Sequence, residues 1–176
     1  MSFHYLQKST SSKLHTQKGF TLLELLLVVA IIAILASVIF VVLDPPTRFK
    51  NTRDSARFTD VRAISNAIKL DQLDNGGDYL HAIASITADT PYIISNATTT
   101  AGCIVTCDVT ITAGDHCVNL TGLVTSGHLG QIPISPEGTG TWTSAVTGYY
   151  VQRNTNGSIS VGACESENIS TIVTIQ

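Results

Sequence analysis

The sequence predicts an α+β protein: a long N-terminal helix, apolar in its first half and amphipathic in its second, packed on a small antiparallel β-sheet head. Three observations lead there. Residues 25–43 form a run of 19 in which Ser37 is the only polar side chain. Residues 44–77 carry an apolar stripe at helical spacing and close on Gly76-Gly77. Beyond residue 77 the chain turns rich in Thr, Ser, Gly and β-branched residues in short alternating runs, the pattern of strands.

Charge divides the chain in the same places. The 176 residues carry a formal charge of −3, and 13% of them are charged against a usual ~25%. Residues 1–19 hold Lys8, Lys13 and Lys18 with no acid, and residues 20–43 hold only Glu24. Residues 44–77 hold six bases and five Asp, and residues 78–176 hold seven acids against Arg153 alone. Such an acidic head is a poor partner for nucleic acid, whose phosphates need a basic face. An apolar content of 44% excludes disorder throughout.

The apolar run decides the class. As a helix at ~1.5 Å per residue it spans roughly 28 Å, close to the ~30 Å hydrocarbon core of a bilayer. A chain this short has no core to surround such a helix on all sides. A secretory signal has a shorter apolar region, about 7–15 residues, ending at small residues. Here the run ends in Val41-Val42-Leu43-Asp44-Pro45-Pro46, so the segment is read as retained and membrane-embedded. Glu24 stands immediately before it. A carboxylate costs ~2.5–3.5 kcal/mol at a bilayer centre, less near the interface, and marks function where it is kept.

Asp44-Pro45-Pro46 is expected to bend or redirect the helix, because proline removes a backbone donor and clashes with the preceding turn. The helical pattern then resumes. Val61, Ile64 and Ile68 fall at i, i+3 and i+7, with Phe58 and Ala67 flanking the same stripe. Lys50–Asp54 and Arg57–Asp60 lie at i+4 and i+3 spacing and predict a charged, solvated opposite face. Asn75-Gly76-Gly77 supplies the stop. Helix from residue 20 to residue 75 without interruption reaches roughly 84 Å.

In the head, residues 104–111, 149–153 and 158–164 read as strands. The last two are joined by Asn154-Thr155-Asn156-Gly157, whose Asn-Gly is a hairpin signal. Residues 119–129 read as a short helix or turn, and residues 132–136 as extended, as their prolines require. Four cysteines, Cys103, Cys107, Cys117 and Cys164, lie in this region; an even count favours two disulfides in an exported domain, and three pairings are open. On one straight strand Cys103 and Cys107 stand ~13 Å apart, beyond the ~7 Å limit for a bridge. The preferred pairing is Cys107 with Cys117, across a hairpin turning near residues 112–114, and Cys103 with Cys164.

Zinc held by Cys103, Cys107, His116 and Cys117 fits worse, since adjacent ligands on a strand point to opposite faces. His81, His116 and His128 are scattered. Neither a nucleophile elbow, a zincin helix, a phosphate-cradling loop nor a calcium loop occurs in the sequence. An enzyme, a cofactor or a metal is not expected, and Trp142 is expected to pack in the core.

The segment Lys18-Gly19-Phe20-Thr21-Leu22-Leu23-Glu24, followed at once by the apolar run, resembles the class III signal of type IV prepilins and of the pseudopilins of type II secretion. Residues 148–164, following Pro133-Ile134-Ser135-Pro136, also resemble the C-terminal hairpin of bacterial pilin-like proteins. The resemblance implies a pilin-like fold and a cleaved leader, residues 1–19, held in the cytoplasm by its lysines. Prepilin peptidase would cut between Gly19 and Phe20 and methylate Phe20. Glu24 would pair with the N-terminal amine of a neighbouring subunit during assembly. The implied chain is a single-pass inner-membrane protein with residues 20–43 as its membrane and filament-core helix, 44–77 as stalk and 78–176 as head outside the cytoplasm. Its partners would be other copies of itself, other pilins and an assembly platform. The implied function is a structural subunit of a type IV pilus-like filament. A type II secretion pseudopilin, a minor pilin for adhesion or DNA uptake, and a membrane-anchored enzyme or receptor are the competing readings.

Overall fold

The structure is a computed structural model that describes residues 19–97, 103, 105–111 and 117–176. The leader up to Lys18, the turn expected near residues 112–114, Ile104 and His116 lie outside the described residues. The chain divides into two compact units, Met1–Leu43 and Asp44–Gln176.

The first unit contains α1, Leu22–Leu43, a helix of 22 residues with no buried side chain. At ~1.5 Å per residue it is roughly 33 Å long, and it is long and apolar enough to cross a membrane. Its one hydroxyl in the apolar run is satisfied locally, since Ser37 Oγ donates to the Ile34 carbonyl at 2.7 Å.

The second unit begins with α2, Pro45–Asp74. The expected interruption falls at Asp44, which takes a left-handed conformation with φ 38°, one residue before the prolines. Pro45 then occupies the first turn, where its missing N–H would have had no helical partner. At the other end Gly77 N–H reaches back to the Gln72 carbonyl at 2.8 Å, with Gly76 and Gly77 at φ 71° and 107°; a side chain is strained in that conformation.

Five strands follow: β1 (Pro91–Ser95), β2 (Cys117–Asn119), β3 (Tyr149–Arg153), β4 (Ile159–Ala163) and β5 (Val173–Ile175), in sheet order β2-β1-β3-β4-β5. The β1–β3, β3–β4 and β4–β5 ladders are antiparallel, but β1 and β2 pair in parallel, so the sheet is mixed rather than antiparallel throughout. The β3–β4 hairpin turns at residues 154–157 as expected, with Gly157 at φ 86° and its N–H donating to the Asn154 carbonyl. Short helices α3 (His81–Ala84) and α4 (Thr121–Thr125) complete the unit.

The strand expected at residues 104–111 is absent among the described residues there. This segment is instead tied across the sheet end, with Asp108 N–H donating to the Cys164 carbonyl at 2.7 Å. β1, β2 and β5 went unforeseen: β1 is buried at all five positions and so shows no alternation, and β2 and β5 have three residues each.

Strand alternation gives the sheet two buried faces. Tyr92, Ile94, Tyr149, Val151, Ile159 and Val161 pack with Val61, Ile64, Ala67 and Ile68 of α2. On the other face Ile93 and Tyr150 pack with Trp142 and three cysteines. Gly162 pairs with Tyr150, and a Cβ there would stand 2.5 Å from the Tyr150 ring, so only glycine admits the ring over the strand. The expected stripe of α2 holds for Val61, Ile64, Ala67 and Ile68. Phe58 departs from it and is 38% exposed.

Candidate functional site

Gly19 and Phe20 precede α1. Nothing lies within 4 Å of where a Gly19 Cβ would stand, and Phe20 is 87% exposed. Among the described residues nothing crowds the Gly19 Cα. Thr21 and Glu24 close on each other at the start of the helix. The Thr21 N–H and hydroxyl donate to Glu24 Oε2 at 3.1 and 3.2 Å, and the Glu24 N–H donates back to Thr21 Oγ1 at 3.2 Å. This is a capping box: each side chain satisfies a backbone donor that the helix cannot. The carboxylate at this position thus has a local role within its own helix. The signal was in the sequence, since Thr21-Leu22-Leu23-Glu24 has the spacing of the motif.

In the second unit the charges of α2 do not form a merely solvated face. Asp54, Arg57, Val61, Ile64, Ile68 and Asp71 lie at i, i+3, i+7, i+10, i+14 and i+17 on one buried stripe. Arg57 is fully buried. Its Nη1 donates to Asp54 Oδ1 and Glu167 Oε1, each at 2.9 Å, and its Nη2 donates to the Pro136 carbonyl at 3.0 Å and lies 3.3 Å from Glu165 Oε2. Its Nε donates to Ser135 Oγ at 3.1 Å. Asp54 accepts the N–H groups of Glu167 and Asn168, and Arg53 closes the far side of Glu167. Five charged side chains therefore bind the start of α2 to the segment after β4. The expected pairs Lys50–Asp54 and Arg57–Asp60 are replaced, because Asp54 and Arg57 turn inward and Asp60 accepts the Tyr149 hydroxyl at 2.5 Å.

The electrostatics follow from these contacts. The Arg53 guanidinium, helped by Arg57, overcomes desolvation and holds the Glu167 carboxyl at about 2. Burial alone would raise Glu165, but the Thr139 N–H and hydroxyl, the Gly140 N–H and Arg57 bring it below its ordinary value. Burial raises Asp60, with the Tyr149 hydroxyl pulling the other way. Trp142 is buried as expected, and its indole N–H donates to Glu165 Oε2 at 3.2 Å.

The cysteines pair as Cys103–Cys117 and Cys107–Cys164, with Cα separations of 5.6 and 4.3 Å. This corrects the preferred pairing, which rested on a strand at residues 104–111. Without that strand, Cys107 lies beside the end of β4, where it reaches Cys164. With all four cysteines so paired, no group of three or more His, Cys, Asp or Glu able to hold a metal occurs among the described residues.

Residues 14–40 match the model of the prokaryotic N-terminal methylation motif, the prepilin-type signal of type IV pilins and pseudopilins. No curated protein and no solved structure matches the chain. The motif supports a type IV pilin- or pseudopilin-like role and points to a structural protein rather than an enzyme. It implies processing by prepilin peptidase and assembly with other pilins, and with the apolar helix it fits a membrane-anchored pilin.

Proposed function

We propose that this chain is a structural subunit of a type IV pilus-like filament, made as a precursor, cut between Gly19 and Phe20 and methylated on Phe20. The observation that carries the reading is the methylation motif at residues 14–40 on a helix, Leu22–Leu43, that buries none of its side chains within its own chain. Such a surface needs a bilayer before assembly and the same helix of other copies after it, because apolar area left in water is costly at ~25 cal/mol per Å². The head completes its core with Val61, Ile64, Ala67 and Ile68 of α2, so stalk helix and head form one packed unit.

Glu24 carries the assembly role in this reading. Cleavage exposes an amine at Phe20, and a neighbouring copy's Glu24 supplies the opposite charge in an apolar core. A copy entering out of register leaves a buried charge unpaired, at about 3–5 kcal/mol. The test is intact-mass analysis of filaments sheared from the native host. The expected species begins at N-methyl-Phe20, lacks residues 1–19 and carries two disulfides. Membrane protein that retains Met1, with no filaments at all, overturns the reading.

A further inference from the structure

Asn-Gly occurs twice in the sequence, at Asn75-Gly76 after α2 and at Asn156-Gly157 in the β3–β4 turn. The dipeptide is chemically distinctive. Glycine has no side chain to shield its backbone nitrogen, which can therefore close on the amide carbon of the preceding asparagine to form a cyclic imide. Both asparagines are exposed, so neither sequence nor exposure separates them. Their hydrogen bonds do.

Asn75 reaches backwards. Its Nδ2 donates to the Asp71 carbonyl at 2.8 Å, and its backbone N–H donates to the same oxygen at 3.0 Å. The amide carbon is drawn away from Gly76, and the nitrogen that would have to leave is held. Asn156 reaches forwards. Its Oδ1 accepts the Ser158 N–H at 3.0 Å and the Ser158 hydroxyl at 2.7 Å, which lays the amide along the Gly157–Ser158 backbone. Among the described residues no acceptor holds its Nδ2. The Ser158 hydroxyl is itself oriented. Its oxygen accepts Asn154 Nδ2 at 2.8 Å, and Asn154 Oδ1 in turn accepts Gln152 Nε2 at 2.8 Å, so the hydroxyl hydrogen is left for Asn156.

We propose that Asn156 is a site of spontaneous self-modification, losing its side-chain nitrogen through a cyclic imide with Gly157, while Asn75 is spared. Gly157 N–H first leaves the Asn154 carbonyl, to which it donates at 2.9 Å, and gives its proton to hydroxide. The nitrogen then bonds to Asn156 Cγ, and the displaced electron pair moves onto Oδ1. The two Ser158 donors, at 3.0 and 2.7 Å from that atom, stand where the negative charge develops, at the separations of an oxyanion pocket. Collapse restores the carbonyl and breaks the Cγ–Nδ2 bond, and the nitrogen takes a proton from water and departs as ammonia. Water then opens the imide at either carbonyl, leaving aspartate or isoaspartate. Either product puts a carboxylate on the hairpin tip, and isoaspartate also lengthens its main chain. The tip is tied to the rest of the head at this place, by the Thr155 N–H donating to Asp89 Oδ1 at 3.1 Å and the Tyr79 hydroxyl donating to the Gly157 carbonyl at 2.9 Å.

The experiment holds the full-length protein in detergent at mildly alkaline pH and follows both asparagine peptides by mass spectrometry, with electron-transfer fragmentation to separate isoaspartate from aspartate. Conversion at Asn156 should be about tenfold or more faster than at Asn75, and the two rates should become alike once urea unfolds the chain. Ser158→Ala should slow Asn156 by about tenfold, less than the ~10²–10³ that such a donor is worth in a closed site, because the turn is open to water. It should leave Asn75 unchanged, and Ser158→Thr, which keeps the hydroxyl, should retain the fast rate. Equal rates at Asn75 and Asn156 in the folded, unmodified protein overturn the proposal without recourse to any variant. An Asn156 rate untouched by Ser158→Ala overturns it as well.

Discussion

Replacing Arg57 with methionine tests the energetics of the head most directly. Methionine fills much of the volume, so the loss is one of charge rather than of packing. The change removes the donors that reach Asp54, Glu165, Glu167, Ser135 Oγ and the Pro136 carbonyl. It takes the buried guanidinium away from Asp54 and Glu165, at 2% and 6% exposure, and leaves Arg53 as the guanidinium bonded to Glu167. Breaking a buried pair in this way costs about 3–5 kcal/mol, a large share of the ~5–15 kcal/mol that holds a domain folded. The assay is urea unfolding of the full chain in detergent, followed by the fluorescence of Trp142, the single tryptophan and a direct partner of Glu165.

The dependence on pH gives a second handle on the same variant. Glu167 and Glu165 are both depressed. Their contribution is therefore fully present above the unfolded carboxyl range and is lost as pH falls, for Glu167 between its ordinary value and about 2. Asp60, raised by burial, works in the opposite sense and loses stability as pH rises through its folded value. In acid Glu165 of the variant becomes neutral while the wild type loses the charge pairs of Glu165 and Glu167, so the gap between the two should narrow. A loss under ~1 kcal/mol at neutral pH, or a gap equally wide at about pH 6 and about pH 3, refutes the argument.

Gly148, at φ 79° with a Cβ position 2.5 Å from Trp142 Cδ2 and 2.7 Å from Ser135 Cβ, should tolerate no side chain; Gly148→Ala should cost about 2 kcal/mol or more in the same unfolding assay. Peptide mapping without reductant should recover Cys103–Cys117 and Cys107–Cys164. Because these close segments of 14 and 57 residues, loss of the second should cost about 1 kcal/mol more than loss of the first on loop entropy. Glu24→Gln keeps a side chain able to complete the capping box but removes the charge, so it should leave processing and membrane levels intact yet abolish filaments, and Glu24→Ala should do the same. Normal filaments from Glu24→Gln leave Glu24 with the capping role alone, and Ser37→Ala in the same helix should change little.

What was legible in the sequence depended on whether one period governed a segment. α1 is apolar throughout and needed only its length. β3 and β4 have Asn-Gly between them and emerged at nearly the expected bounds. β1, buried on both faces, carried no alternation to read, and the loop of residues 105–111 looked like a strand because a disulfide, not a ladder, holds its apolar residues against the sheet. The stalk charges were missed for a different reason. Polar residues were assigned to the solvated side by type, although Asp54, Arg57 and Asp71 continue the register of Val61, Ile64 and Ile68. Position, not polarity, decides which face a helical residue presents, so a charge on the apolar register must find a partner elsewhere in the fold. Arg57 finds it in Glu165 and Glu167, more than a hundred residues away.

The same distinction between local and distant partners governs Glu24. The box it forms with Thr21 depends on four consecutive residues and can be read from the sequence, because both members belong to one turn of one chain. An amine of another copy leaves no such mark in a single sequence. The capping box also bears on what pairing requires: a carboxylate already accepting the Thr21 N–H and hydroxyl is aimed at the end of the helix where Phe20 begins. On the proposed reading, cleavage of the Gly19–Phe20 bond creates a cation one residue before Thr21, and a carboxylate has room for both kinds of donor. Capping and pairing are thus compatible uses of one group, the first orienting it within its own chain and the second, on the proposed reading, drawing on a neighbour. Only the second requires the charge.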